Sequence, residues 1–226
     1  MEIDVKKIAG YIDHTLLKAD ANRQAIEKLC AEAKQYQFYS VCVNGHWVPY
    51  CKELLAGSGV NISVVCGFPL GAMQSDAKAF EAAKAAEQGA NEIDMVLQVG
   101  LLLEGNHQAV EDDIRAVVKA VEGQAIVKVI FETGFLNDEQ KKTACRLSEQ
   151  AGAHFVKTST GFGPGGATVE DIRLMRAAVS NQIGVKASGG VRDAQTALAM
   201  IEAGATRLGT SSGVAIMNGL SSSSSY

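Results

Sequence analysis

The same phrase returns three times along this chain, and it confines the fold more than any other feature. It reads EQGANEIDMV from residue 87, EQAGAHFVKT from 149 and EAGATRLGTS from 202. Each copy is a helix end, a Gly-Ala turn and the start of a strand, so the chain repeats an αβ unit. Eight short, β-branched runs fit that unit: Gly10 to Thr15, Ser40 to Asn44, Ile62 to Phe68, Glu92 to Leu97, Val127 to Thr133, Phe155 to Thr160, Gly184 to Ser188 and Thr206 to Thr210. Amphipathic stretches lie between them. Val110, Ile114, Val117, Val118 and Val121 recur at helix spacing, as do Ile26, Leu29, Cys30 and Ala33, and later Ala194, Ala197, Leu198 and Ile201. Asp193 is the expected N-cap of that late helix and Gly204 its stop. Thr168, with Asp171 three residues on, resembles a capping box with Asp in place of the usual Glu or Gln.

Strands joined through helices are forced to run parallel, with right-handed crossovers. Eight units of about 28 residues close most simply into an α/β single-domain (β/α)8 TIM barrel. We expect the barrel to occupy residues 1–219 and residues 220–226 to form a flexible, serine-rich tail. The runner-up is an open doubly wound sheet, but no GxGxxG follows the first strand. Apolar residues make up 47% of the 226, enough for a sizeable core, and aromatics only 6%, so Val, Ile, Leu and Ala must build it.

The same composition narrows the function. A net charge of −4 without a basic run gives no footing for nucleic acid or an anionic membrane. No apolar stretch approaches the roughly 18 residues of a membrane span. The five cysteines form no CxxC pair and read as reduced thiols, so a cytoplasmic protein is expected. The four histidines show no HxH or HExxH spacing. His14 beside Asp13 is the nearest thing to a metal ligand, so a metal-dependent enzyme is disfavoured and no metal or other cofactor is expected.

Charged residues inside strands carry the chemical argument. Barrel interiors are ordinarily apolar, and working residues gather at the C-terminal strand ends. Here Asp94 sits in EIDMV, Lys128 in VKVIFET, Lys157 in FVKTST and Lys186 in GVKAS, while Asp13 ends the first strand. With period-2 alternation, Lys157 points inward along with Phe155 and Ser159, and Lys186 and Asp94 do likewise. Burial disfavours a charged lysine, and a second cation nearby disfavours it further. One of two adjacent lysines is then neutral near pH 7 and able to form a Schiff base, with Asp94 moving protons. The competing reading is a salt-bridge network that merely fills the barrel. That reading is favoured for Lys128, which starts its strand and has Glu132 in alternation to neutralise it.

Glycine-rich turns follow the last three strands: STGFGPGGAT, SGGVRDA and GTSSGVA. Successive backbone N–H groups at such turns cradle phosphate, and barrels often bind it after strands seven and eight. Gly189, Gly190, Gly209, Ser211 and Ser212 are the candidates, joined by Gly161, with Arg192 either adding charge or capping its helix.

In order along the chain, YIDHTLLK, SVCVNGHWV, GFPLGA, EIDMV, VKTSTGF, VKASGG and RLGTSSGVAIMNG resemble the deoxyribose-phosphate aldolase family in its short bacterial form. The similarity runs to about Gly219. It implies a class I aldolase that reversibly cleaves 2-deoxy-D-ribose 5-phosphate to D-glyceraldehyde 3-phosphate and acetaldehyde. By motif, it implies Lys157 as the Schiff-base lysine, Lys186 as its pKa-lowering and proton-relay partner, and Asp94 as the acid/base group. Asp13 and Thr15 match positions that orient sugar hydroxyls and the relay water, and Gly161, Gly189, Gly190, Ser211 and Ser212 match the phosphate loops. A C-terminal tyrosine assists proton transfer in relatives, so Tyr226 is either such a relay or the end of an idle tail. Two stretches, VLQVGLLLEG and FETGFLNDEQ, depart from the family pattern and mark the pocket rim as the place to expect differences. The competing functions are another phosphosugar enzyme of this barrel type and a non-catalytic sugar-phosphate binder. The sequence does not fix the oligomeric state, although barrels of this kind often form homodimers.

Overall fold

The computed structural model describes residues 8–219. Eight strands form a closed, all-parallel barrel in sequence order: β1 (Ile12–Thr15), β2 (Ser40–Val43), β3 (Asn61–Cys66), β4 (Glu92–Val96), β5 (Ile126–Ile130), β6 (Phe155–Lys157), β7 (Gly184–Ser188) and β8 (Arg207–Thr210). β8 pairs back onto β1, with Asp13 beside Gly209, which closes the ring. Helices wrap the outside: α1 (Arg23–Tyr36), α2 (Val48–Leu54), α3 (Ser75–Gln88), α4 (Val99–Leu103), α5 (His107–Ala120), α6 (Asp138–Gln150), α7 (Val169–Ala178), α8 (Ala194–Glu202) and α9 (Gly213–Met217). The barrel, its eight strands and their order are those expected from the sequence.

The repeated phrase is a repeated cap. Gly89, Gly152 and Gly204 each take a left-handed backbone, which a residue with a Cβ adopts only with strain. The alanine after each one then donates its N–H back to a carbonyl five residues earlier: Ala90 to Ala85, Ala153 to Ser148 and Ala205 to Met200, each at 3.0 Å. This is the Schellman ending of α3, α6 and α8. The next residue ties the turn to the preceding strand. Asn91, His154 and Thr206 accept, through their side chains, the N–H groups of Ile62, Val127 and Val185 at 2.9–3.1 Å. Helix starts are equally local. Asp193 accepts from Thr196 N at 2.7 Å, and Thr168 accepts from Asp171 N at 3.0 Å, as the sequence predicts.

Alternation along the strands separates two environments. One set of side chains, including Ile93, Met95, Val127, Val129, Val156, Val185 and Leu208, is buried against the helices and forms the apolar core. The opposite set faces the barrel axis and includes Asp13, Ser40, Ser63, Glu92, Asp94, Lys128, Lys157, Lys186 and Arg207, all buried. The greasy layer is therefore the ring between sheet and helices, and the interior is ionic. Its floor is closed by the Arg207 guanidinium, stacked 3.3 Å over the Tyr39 ring.

A fully buried ion pair lies outside the barrel. Lys78 of α3, fully buried, donates to Asp113 of α5 at 2.7 Å and to the Val96 carbonyl at 2.9 Å. Ser75 holds the other Asp113 oxygen at 2.7 Å. The five cysteines are free and buried.

Candidate active site

Strand parity aims four cations and three carboxylates at one axis. Asp94 is the hub. Its Oδ2 lies 2.8 Å from Lys157 Nζ and 2.7 Å from Lys186 Nζ, so the two amines share one oxygen. Its Oδ1 takes Lys128 Nζ at 2.7 Å and the Ser63 hydroxyl at 3.1 Å. Lys157, Lys186 and Asp94 are thus together in one compartment. Beneath them, Asp13 binds Lys186 through Oδ2, and through Oδ1 accepts from Ser40 at 2.7 Å and Arg207 at 2.9 Å. Glu92 bridges Lys128 at 2.5 Å and Arg207 at 3.0 Å.

The count of charges does not balance. Fully ionised, the interior would hold one excess positive charge, which is costly among groups this deeply buried. Releasing one proton from a lysine restores neutrality. Lys128 faces Asp13, Glu92 and Asp94; Lys186 faces Asp13 and Asp94; Arg207 faces Asp13 and Glu92. Lys157 faces Asp94 alone, and that carboxylate is shared with two other ammonium groups. Lys157 is therefore the amine best placed to give up its proton.

The titration directions agree. Burial lowers the Lys157 amine below the usual lysine range, the Lys186 cation lowers it further, and Asp94 opposes both without prevailing. Burial is thus the larger cause, ahead of the neighbouring Lys186 cation. Burial also presses on Lys186 and Lys128, but the facing carboxylates overcome it and hold both above that range. Burial works to raise Asp94 and Asp13 as well, yet the surrounding cations keep both well below ordinary carboxylates. Cys42, on the same interior face, is raised by burial and stays a thiol.

Some expectations need correction. Lys128 lies mid-strand, not at a strand start, and Glu132 does not neutralise it. Glu132 falls beyond the end of β5 with a left-handed backbone, which breaks the alternation, and its carboxyl turns to Thr160 instead. Asp13 is engaged deep in the ionic network rather than standing at the strand end. Thr15, at that end, donates to the Asp13 carbonyl at 2.8 Å. His14 points outward and lies 2.8 Å from Glu32 of α1. Among the described residues no group of three or more His, Cys, Asp and Glu side chains is arranged to hold a metal. Tyr226 lies outside the described residues.

At the C-terminal end of the barrel, Gly161, Gly189, Gly190, Ser211 and Ser212 line one cavity of about 300 Å³, together with Gly165, Gly166, Thr168 and the exposed Arg192. Gly209 lies in β8, one residue short of this wall. The 161–168 segment continues directly from β6 and its Lys157, and 189–192 continues from β7 and its Lys186. Glycine and serine backbone walls of this size fit an anion such as phosphate. Sequence reasoning passed over Glu92 and Arg207, although both keep the inward parity of Asp94 and Gly209.

Comparison with known proteins places this geometry. The family model described as DeoC/LacD family aldolase matches residues 7–219. A deoxyribose-phosphate aldolase of Alkaliphilus oremlandii is 59% identical over 93% of this chain and 95% of its own length. One from a Geobacillus species is 59% identical over 97% of this chain and 98% of its own. The tetrameric structure of deoxyribose phosphate aldolase from Aeropyrum pernix superposes with a TM-score of 0.89 at 33% identity, covering 95% of this chain and 91% of that one. With a family model spanning all of the described residues and relatives this similar along nearly their whole length, the chain belongs to the DeoC/LacD family of aldolases.

Proposed function

We propose that this protein is a class I aldolase that reversibly cleaves 2-deoxy-D-ribose 5-phosphate into D-glyceraldehyde 3-phosphate and acetaldehyde. The observation that carries the mechanism is the single Asp94 oxygen shared by Lys157 and Lys186 inside a barrel with one cation too many.

The neutral Lys157 amine attacks C1 of the open-chain sugar, and loss of water gives a protonated imine. That imine draws electrons from the bond between C2 and C3. A base removes the C3 hydroxyl proton, the bond breaks, and D-glyceraldehyde 3-phosphate leaves. The enamine left on Lys157 takes a proton at its terminal carbon, and water releases acetaldehyde. Asp94, ionised in the resting site, is placed to accept protons, and Lys186, charged and touching the same oxygen, to supply them. The glycine-lined cavity takes the phosphate at the far end of the sugar, with Gly161, Gly189, Gly190, Ser211 and Ser212 as its wall. A relay role for Tyr226 stays part of this proposal, tested by the rate of proton exchange into the acetaldehyde methyl group after its deletion.

The assay follows both aldehydes released from 2-deoxy-D-ribose 5-phosphate. The parent protein is expected to yield them in equal amounts and Lys157→Ala neither. Turnover by folded Lys157→Ala would refute the proposed nucleophile. No helix among the described residues is long and apolar enough to cross a membrane. A cytoplasmic location and a homodimer complete the proposal, the latter checked by light scattering.

A further inference from the structure

One buried acid takes no part in the ionic network. Glu132 is 4% exposed, yet among the described residues no cation lies within ion-pair distance of its carboxyl group. It also holds a left-handed backbone, φ 55 and ψ 63, uncommon for a residue with a side chain. Burying a carboxyl without a cation and holding such a backbone are both costly, and such strain persists where surrounding structure enforces it.

What the carboxyl holds is the turn at the start of the β6–α7 segment. The Thr160 N–H donates to Glu132 Oε2 at 3.3 Å, and the Thr160 hydroxyl donates to the same oxygen. That hydroxyl in turn accepts the Phe162 N–H at 3.0 Å, so the turn around Gly161 is threaded onto one carboxyl group. Gly163 packs on it so closely that a Cβ there would lie 2.5 Å from the carboxyl carbon. On its other side the segment is held by β7: Ala167 N–H donates to Gly189 O at 2.9 Å, and the Ser188 hydroxyl donates to Ser159 O at 2.5 Å. Glu132 is thus the side-chain hydrogen-bond anchor of this wall on the β5 side, where Phe162 also packs edge-on against Phe68.

We infer that Glu132 is a positioning residue: through Thr160 it sets the place of the β6–α7 wall of the anion cavity relative to Lys157. It makes no ion pair with either lysine and is not part of the anion cavity's lining. The inference rests on the aldolase reading and on phosphate occupying that cavity. Its effect falls on recognition of the phosphate end of the substrate, because the ionic hub that forms the imine lies on the strands themselves.

The test compares kcat/KM for 2-deoxy-D-ribose 5-phosphate with that for unphosphorylated 2-deoxy-D-ribose, in the parent, Glu132→Ala and Glu132→Gln. In Glu132→Ala the ratio of the two is expected to fall about tenfold, mainly through KM of the phosphorylated sugar, as for loss of a hydrogen-bonded anchor. In Glu132→Gln the fall is smaller, since an amide oxygen still accepts from Thr160, and this variant keeps the test open should the alanine variant not fold. An unchanged ratio, or equal losses on both sugars in a variant that melts like the parent, would overturn the inference. A parent that cleaves neither sugar would instead refute the aldolase reading beneath it.

Discussion

Replacing Lys157 and replacing Lys186 are expected to have opposite effects on the fold. Lys157 is 3% exposed and faces one shared carboxylate, so an apolar side chain of similar size removes a desolvation cost and little attraction. Lys157→Leu is therefore expected to melt at or above the parent temperature while turnover drops by about 10⁴-fold or more. Lys186 is the leading counter-charge of Asp13 and one of three cations on Asp94, so removing it takes a close partner from two buried carboxylates at once. Lys186→Leu is expected to cost about 3–5 kcal/mol in stability. Thermal melts of the two variants decide the matter, and equal destabilisation would contradict the unbalanced charge. These residues were legible because a charge in the middle of a strand, at inward parity, is rarely idle. Glu92 and Arg207 obey the same parity but begin their strands, where a charge ordinarily reaches solvent. Glu132 was assigned to Lys128 by alternation, because the left-handed backbone that ends the alternation there is not visible in the sequence.

At the level of elements, the helix ends were the most readable parts. Gly-Ala fixes a Schellman turn through its own backbone chemistry, whatever surrounds it. Strand ends were not. The β-branched runs Val127 to Thr133 and Phe155 to Thr160 continue past the ladder, which stops at Ile130 and Lys157. There the chain bends away to build the site, and propensity cannot register where a neighbouring strand ceases to offer partners. The clamp between α3 and α5 was equally invisible, since Lys78 and Asp113 meet only in the folded ring. Lys78→Met leaves Asp113 buried without its cation and is expected to cost about 3–5 kcal/mol, with kcat/KM within about threefold of the parent. Chemical denaturation and the aldehyde assay check the two halves separately. A large loss of activity in a folded variant would tie this clamp to the site.

For the whole molecule, the unbalanced interior predicts how stability depends on pH. The folded-state pKa of Lys157 lies below that of the unfolded chain, about 10.4. Between those values the unfolded chain binds the extra proton, so stability gained from this group rises with pH. Lys157→Leu lacks that contribution, so its stability advantage over the parent is expected to shrink as pH rises from neutral toward about 10. Urea unfolding of both proteins across that range measures it, and a constant gap would contradict the lowered amine. The carboxylates act in the other direction. Asp94 and Asp13 are held below their unfolded values, so their contribution is present above about pH 4 and is lost as pH falls through the folded values. The barrel itself was legible from the eightfold alternation. Its ionic filling was legible only in part, because closure sets which charges meet across the axis.

The claim beneath all of this is that Lys157, among the buried lysines, carries the reactive amine. Incubating the protein with acetaldehyde, reducing with borohydride and mapping the peptides by mass spectrometry reads it directly. A single reduced ethyl adduct on Lys157 is the predicted result. An adduct on Lys186 or Lys128, or none at all, would contradict it.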